Sequence, residues 1–314
     1  MKVTILHQKF IRFVYLLDLE LIKRKFVLGL SGGQDSLALL KLLCDYRKTY
    51  FGLLKLVYCD HRWRLESIAN AQRLYYLSEY SNISFYYFAT STFLSSETQS
   101  RTWRYKNLLK ISLSFEYSYL LTAHTLSDIS ETTIYRLVRN LRISEINNLL
   151  FTFLYIKKTL SISRPLASVT RNDTYWLCSL SYLPLWSDYT NYWLFLSRNR
   201  IRQELFPYLK NYFNCSLERY LDGFIYSNKI NLITLNIKLK KILSKIFGYT
   251  NDGLYFNVSL FKLLPFFYQH ILIRDFHFLF FHNYRSPSQF NRLLFAIALE
   301  KSQKVFIRKQ YHII

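Results

Sequence analysis

Short apolar runs alternate with stretches of helical spacing through the first 140 residues of the chain. Phe26-Val27-Leu28-Gly29-Leu30 reads as a buried strand. The chain then turns at Ser31-Gly32-Gly33, and a helix opens at Ser36-Leu37-Ala38-Leu39-Leu40. A second run, Leu53 to Cys59, stops at Asp60-His61-Arg62-Trp63-Arg64, ahead of a helix from Glu66 to about Tyr80. A third, Ile83 to Ala89, opens into the polar segment Thr90–Ser100 and a helix that carries Arg101, Trp103, Arg104 and Tyr105. A fourth, Tyr119 to Ala123, ends at His124, and a helix from Ser127 to about Val138 follows. Ahead of them all, residues 1–25 read as a helix with Phe10, Phe13, Val14 and Leu17 at helical spacing.

Strand and helix in alternation predict an α/β fold, a parallel sheet with helices on both faces. Residues 1–214 are expected to form this domain, and residues 215–314 a smaller, basic, mostly helical one. In such sheets ligands bind beyond the carboxyl ends of the strands. The first, second and fourth strands are each followed at once by polar residues, at Ser31–Ser36, Asp60–Arg64 and His124–Glu131. Groups far apart in sequence thus converge on one edge, which a purely structural sheet has no reason to arrange.

Charge sharpens this picture. Lys and Arg number 42 against 20 Asp and Glu, a net charge of +22, which points to a polyanionic partner, nucleic acid first. Abundant Phe, Tyr, Ile, Asn and Lys with little Gly or Pro also fit an AT-rich genome, which accounts for part of the lysine count. Cys44, Cys59, Cys178 and Cys215 are scattered without a C-x-x-C pair, which argues for a reducing compartment and against a structural zinc. No apolar leader with a cleavage site opens the chain, and Pro265, Gln269, His270, Arg274 and Asp275 interrupt its most apolar later stretch. A soluble protein is expected.

The turn Ser31-Gly32-Gly33-Gln34-Asp35-Ser36 between strand and helix is the geometry of an anion nest. Glycine lets the backbone take positive φ there and lets phosphate oxygens approach it closely. Asp128 and Glu131 share one face at the start of a helix. They suit either a capping box favoured by the helix dipole or a carboxylate pair that holds a cationic amine. His124, at a strand end, suits a phosphate contact or a proton carrier. Arg64 and Arg104 suit clamps for charge on a reacting phosphate. Arg198 and Arg202, four apart beside Ile201 and Leu205, suit ATP or an RNA backbone.

Taken in order, these motifs carry a resemblance. They are Ser31-Gly32-Gly33-Gln34-Asp35-Ser36, Asp60-His61-x-x-Arg64, Arg101-x-Trp103-Arg104-Tyr105, His124-x-x-x-Asp128-x-x-Glu131, Arg164-Pro165-Leu166 and Arg198-Asn199-Arg200-Ile201-Arg202. The chain resembles the tRNA(Ile)-lysidine synthetases of the cyanobacterial and plastid branch, members of the pyrophosphate-loop (PP-loop) superfamily with its adenine nucleotide alpha hydrolase-like fold. The resemblance implies an ATP-dependent ligase that adenylates O2 of the wobble cytidine in a CAU-anticodon tRNA(Ile) and then joins free L-lysine to C2. It implies ATP contacts from Ser31, Gly32, Gly33, Gln34, Asp35, Ser36, Asp60, Arg64, Arg198 and Arg202. Mg²⁺ falls at Asp35, the reacting phosphate opposite His124 and Arg104, and lysine at Asp128 and Glu131; Asp35 is also the candidate base. It further implies a plastid stroma, with a bacterial cytoplasm as the alternative; oligomeric state stays open, a homodimer included. Ala123 and Asn140-Leu141-Arg142-Ile143 stand where most relatives have glycine and a Gly-Ser-Gly turn. A 2-thiolation enzyme and a non-catalytic tRNA-binding remnant are the competing readings.

Overall fold

Phe26, Val27 and Leu28 lie at the centre of the sheet, each at most 2% exposed. Their strand, β1 (Arg24–Gly29), pairs in parallel with β2 (Gly52–Asp60) on one side and with β4 (Tyr119–Leu121) on the other. The computed structural model describes residues 4–17, 24–49, 52–63, 66–92, 96–139, 153–156, 160–186, 193–194, 197–250, 253–281, 297 and 304–306. The sheet order is β3-β2-β1-β4-β6-β5, with β3 at Ser84–Ala89, β5 at Phe153–Ile156 and β6 at Leu160–Ser163. Five strands run parallel, and β5 alone is antiparallel, paired to β6 at the edge.

Successive residues of a strand face opposite sides of a sheet, so burial on both sides requires unbroken apolar runs. Phe26 and Leu28 face one layer, with Leu56 and Leu121. There they meet Phe10 and Val14 of α1 (Ile5–Leu17), Leu39 and Leu43 of α2 (Gln34–Thr49) and Leu74 of α3 (Ser67–Tyr80). Val27, Val57 and Leu120 face the other layer, against Leu108 and Ile111 of α4 (Glu97–Ser114). From β1 the chain steps out to β2 and β3, then returns to β4 on the opposite side of β1. The strand order therefore reverses between β1 and β4, and a crevice opens beyond their carboxyl ends. The loop after β1 and α5 (Leu126–Val138), which follows β4, flank that crevice.

Several details depart from the expectations. The first strand already begins at Arg24, and the fourth ends at Leu121. The β5–β6 hairpin was not expected, because Leu160-Ser161-Ile162-Ser163 looks half polar. Yet Ser161 and Ser163 are buried, with their hydroxyls 3.3 Å apart, so each offers the other a polar partner. The basic segment that carries Arg198 and Arg202 is three pieces: α7 (Ser197–Arg200), a wide π-type turn (Ile201–Leu205) and α8 (Phe206–Tyr212). Pro207, which lacks an N–H, opens α8. Between β6 and α7 lies α6 (Arg171–Leu180), capped at Thr170.

The chain divides into two compact units, residues 1–226 and 227–314, and the division falls inside the helix α9 (Leu217–Ile246). The second unit has its own core of Leu239, Ile246, Phe261, Ile271, Leu272 and Ile273. Helices α10 (Val258–Lys262) and α11 (Phe266–Phe281) accompany a three-stranded antiparallel sheet that the sequence reading lacked, β7 (Phe247–Thr250), β8 (Gly253–Asn257) and β9 (Lys304–Phe306). Among the described residues no helix is long and apolar enough to cross a membrane.

Candidate active site

Gly32 adopts φ +82°, a conformation that L side chains resist. The turn closes on Ser36, whose hydroxyl accepts from Ser31 N at 3.3 Å and from Ser31 Oγ at 3.1 Å while donating to the Gly33 carbonyl at 2.9 Å. From behind, Asn70 Nδ2 donates to Ser31 O at 3.0 Å, and Trp186 N donates to Gly32 O at 3.3 Å. Arg73 Nη2 holds Asn70 Oδ1 at 3.3 Å, and its guanidinium stacks 5.0 Å from the Trp186 ring. Gln34 turns the other way: its amide donates to Arg171 O at 2.6 Å and Thr174 Oγ1 at 2.7 Å. Its side chain therefore ties α2 to α6, and its part in an anion nest is its backbone N–H.

Asp128 caps α5 and also lies among arginines. Its Oδ2 accepts from the N–H and the hydroxyl of Thr125, each at 3.0 Å, which makes Thr125 and Asp128 the capping box of α5. Its Oδ1 accepts from Arg171 Nη2 at 2.7 Å and lies 3.5 Å from Arg198 and from Arg202. Glu131, one turn on, is 3% exposed. It accepts from Arg171 Nη1 at 2.8 Å and, with both oxygens, from Arg202 at 2.9 Å. Asp35 accepts from the Thr174 hydroxyl at 2.5 Å and lies 3.5 Å from Arg171 Nε. One arginine thus touches the acid of the phosphate loop and both acids of α5.

Burial works against the Asp128 charge, but Arg171, Arg198 and His124 outweigh it and hold the carboxyl at about 2. Burial and the neighbouring Asp128 charge push Asp35 up, with Arg171 and Thr174 opposing. Burial drives His124 down to about 3; Asp128 opposes this, and Arg164, Arg104 and Arg101 add to it. The imidazole, with Nδ1 3.0 Å from Thr122 Oγ1, is therefore neutral at pH 7.

The PP-loop domain model matches residues 5–209. The chloroplastic tRNA(Ile)-lysidine synthase of Cyanidioschyzon merolae is 36% identical over 211 residues, 66% of this chain and 70% of that one. The chain belongs to the PP-loop family, among the tRNA(Ile)-lysidine synthases. The chloroplastic tRNA(Ile)-lysidine synthase of Pyropia yezoensis is 35% identical over 216 residues, 69% of this chain and 65% of that relative's length. A solved structure, the U34-tRNA thiolase of Methanococcus maripaludis, has a TM-score of 0.56 at 16% identity, covering 70% of this chain and 78% of that one, a likeness of fold.

The remaining PP-loop positions behave differently from one another. Asp60 is 2% exposed, and its carboxylate accepts from Arg62 N at 2.7 Å and from Ser67 Oγ and the Tyr87 hydroxyl at 2.9 Å each. Those bonds shape the turn after β2, where Arg62 takes φ +55°. Arg104 lies near His124 and Cys59, as their electrostatics show. Arg64 and residues 140–143 lie outside the described residues. Sequence reading missed Asn70, Arg73 and Thr174, and it gave Arg171 no contact. Thr170-x-x-Asp173, a capping box, marks the start of Arg171's helix, but nothing local announces acids 40 and 43 residues away.

A titration follows from His124. Its pKa in the folded chain lies below the ordinary 6.5. The stability this group contributes is therefore fully present above pH 6.5 and is lost as pH falls toward 3, a window in which the unfolded chain binds the extra proton. Imidazole NMR is expected to show His124 neutral from pH 8 down to 5, and an ordinary midpoint near 6.5 would refute the assignment.

Proposed function

We propose that the protein joins lysine to C2 of the wobble cytidine of a CAU-anticodon tRNA(Ile), with ATP split to AMP and pyrophosphate. The observation that carries this reading is Arg171, which links the acid of the anion-nest loop, Asp35, to the acid pair Asp128 and Glu131. On this reading a polyphosphate site and a cation site lie side by side at the switch point of the sheet.

Two steps fit this arrangement. O2 of cytidine attacks the α-phosphorus of ATP, and the pyrophosphate leaves toward the Ser31–Ser36 backbone. His124, neutral and flanked by Arg101, Arg104 and Arg164, faces the reacting phosphate as a hydrogen-bond partner. The ε-amine of lysine, placed by Asp128 and Glu131, then attacks C2, and the C2–O2 bond breaks to release AMP. At pH 7 roughly four lysines in ten thousand are neutral, so the amine must lose a proton in the site. Asp35, which Arg171 links to this acid pair, is the carboxylate proposed to take it. Magnesium is commonly held by one or two carboxylates plus substrate phosphates. Asp35, at the first turn of α2 beside the nest, fits that mode. A bound Mg²⁺ would supply charge neutralisation for the leaving pyrophosphate.

The strongly basic chain suits an RNA substrate, and the exposed lysines 238, 241 and 245 of α9 suit its backbone. By analogy with its chloroplastic relatives, a plastid location is proposed. A thiolation reading is weaker. Burial pushes the thiols of Cys59 and Cys178 up to about 12, far from the thiolate state such chemistry needs. Among the described residues no three metal-ligating side chains gather.

The test is to mix the protein with ATP, Mg²⁺, labelled lysine and an unmodified CAU-anticodon transcript. Label in the RNA with matching AMP is expected, and a transcript with cytidine-34 replaced by uridine should take none. RNA binding without any label would leave the remnant reading in its place.

A further inference from the structure

We infer that Arg171 determines when the amine site opens: it occupies the acid pair in the free enzyme and yields it only once a nucleotide polyphosphate sits on the neighbouring loop. This rests on the lysine-binding reading of Asp128 and Glu131 and adds an order of binding to it.

The three nitrogens of the guanidinium each face a different carboxylate: Nε faces Asp35 at 3.5 Å, Nη2 faces Asp128 at 2.7 Å and Nη1 faces Glu131 at 2.8 Å. Arg202 covers the rest of Glu131, and Arg198 approaches both α5 acids at 3.5 and 3.6 Å. Three acids therefore face three guanidiniums, and the charges of the cluster balance. A lysine ammonium entering this arrangement would be a fourth cation. It would also compete with a group tethered to α6 at high effective concentration.

A phosphate chain changes the balance. Asp35, the second residue of α2, belongs to the nest motif Ser31–Ser36, so Nε, 3.5 Å from its carboxylate, is the nitrogen by which Arg171 reaches that loop. Guanidinium forms paired hydrogen bonds with phosphate as readily as with carboxylate. Once Arg171 turns to the phosphates, Asp128 Oδ1 and Glu131 Oε1 lose its Nη2 and Nη1 bonds, and with the negative charge of the polyphosphate beside them an ammonium can take that place. The backbone N–H of Arg171 remains bonded to Ser127 Oγ at 3.0 Å throughout, so the side chain can swing while its helix start stays fixed. Nucleotide and lysine thereby become positively coupled without any movement of the sheet. The amine is kept out until the nucleotide that activates the base is in place.

The experiment is equilibrium dialysis of labelled lysine against the full-length protein, with and without α,β-methylene-ATP and Mg²⁺, and norleucine as the control that lacks the ε-amine. The wild-type protein should bind lysine about tenfold tighter when loaded, and lysine should tighten the analogue by the same factor, as linkage requires. In Arg171→Ala the nucleotide-free protein should bind lysine about as tightly as the loaded wild type, so that the coupling collapses. Arg171→Lys, which keeps a cation, should retain part of it. Equal lysine affinity with and without the analogue in the wild type would overturn the inference while leaving the lysine site standing. Absence of specific lysine binding in every state would remove both.

Discussion

Replacing Gly32 by alanine is expected to slow nucleotide-dependent turnover about 100-fold while the sheet stays folded. Two costs meet at this position. A residue with a Cβ at φ +82° carries about 1–2 kcal/mol of backbone strain. The added Cβ would also stand 2.4 Å from Asn70 Oδ1, where something must give. Asn70 has little room to do so, since it is 3% exposed, bonded to Ser31 O and held by Arg73. The phosphate loop therefore moves instead, and a displacement of about 1 Å near a reacting group costs on the order of 100-fold in rate. Thermal melting should fall by only a few degrees, since about 2 kcal/mol shifts a unit of this size by roughly 4–8 °C. Initial rates of AMP release with tRNA and lysine present check the prediction. The double variant with Asn70→Ala, which removes the collision but not the strain, should recover part of the rate. Wild-type turnover in Gly32→Ala would mean that the nest does not hold the polyphosphate.

Glu131→Ala should be the most damaging single change at the acid pair. The carboxylate is 3% exposed and receives N–H groups from both Arg171 and Arg202. Removing one side of such a buried pairing leaves charge without compensation and costs about 3–5 kcal/mol. A lower denaturant midpoint and no detectable lysine transfer are expected, with nucleotide binding retained. Asp173→Asn is the matched control: it keeps an acceptor for Thr170 N–H and removes only a first-turn charge of α6, outside the cluster, at a cost of about 0.3–1 kcal/mol with transfer intact. If Glu131→Ala still transferred lysine at the control's rate, the acid pair would not be the amine site.

The parallel core was legible because strands buried on both faces must be apolar throughout, as Val27-Leu28 and Leu56-Val57 are. The loop and the acids were legible because glycine geometry and helix-start chemistry are local. Three features were hidden for one shared reason, that long-range partners leave no periodic trace. Gln34 sits in the anion-nest motif, yet α6 claims its side chain. Asp60 looks like a ligand contact, and its oxygens also accept from Arg62, Ser67 and Tyr87, which shapes the turn after β2. Arg171 looks like any arginine at a helix start, and only the closed sheet brings it to Asp35, Asp128 and Glu131. The β6 strand was lost for a different reason, because its paired serines disguise a buried segment as a polar one.

The seclusion of Glu131 separates two kinds of electrostatics in one molecule. Ions of the medium shield charges that face water within about 10 Å at 0.1 M, but they hardly reach carboxylates enclosed by protein. On the proposed reading, added salt loosens the grip of the exterior on an RNA by restoring its counterions and acts far less on the contacts at Glu131. Loss of lysine transfer in a salty buffer is then expected to follow loss of RNA binding and not loss of the Glu131 contacts.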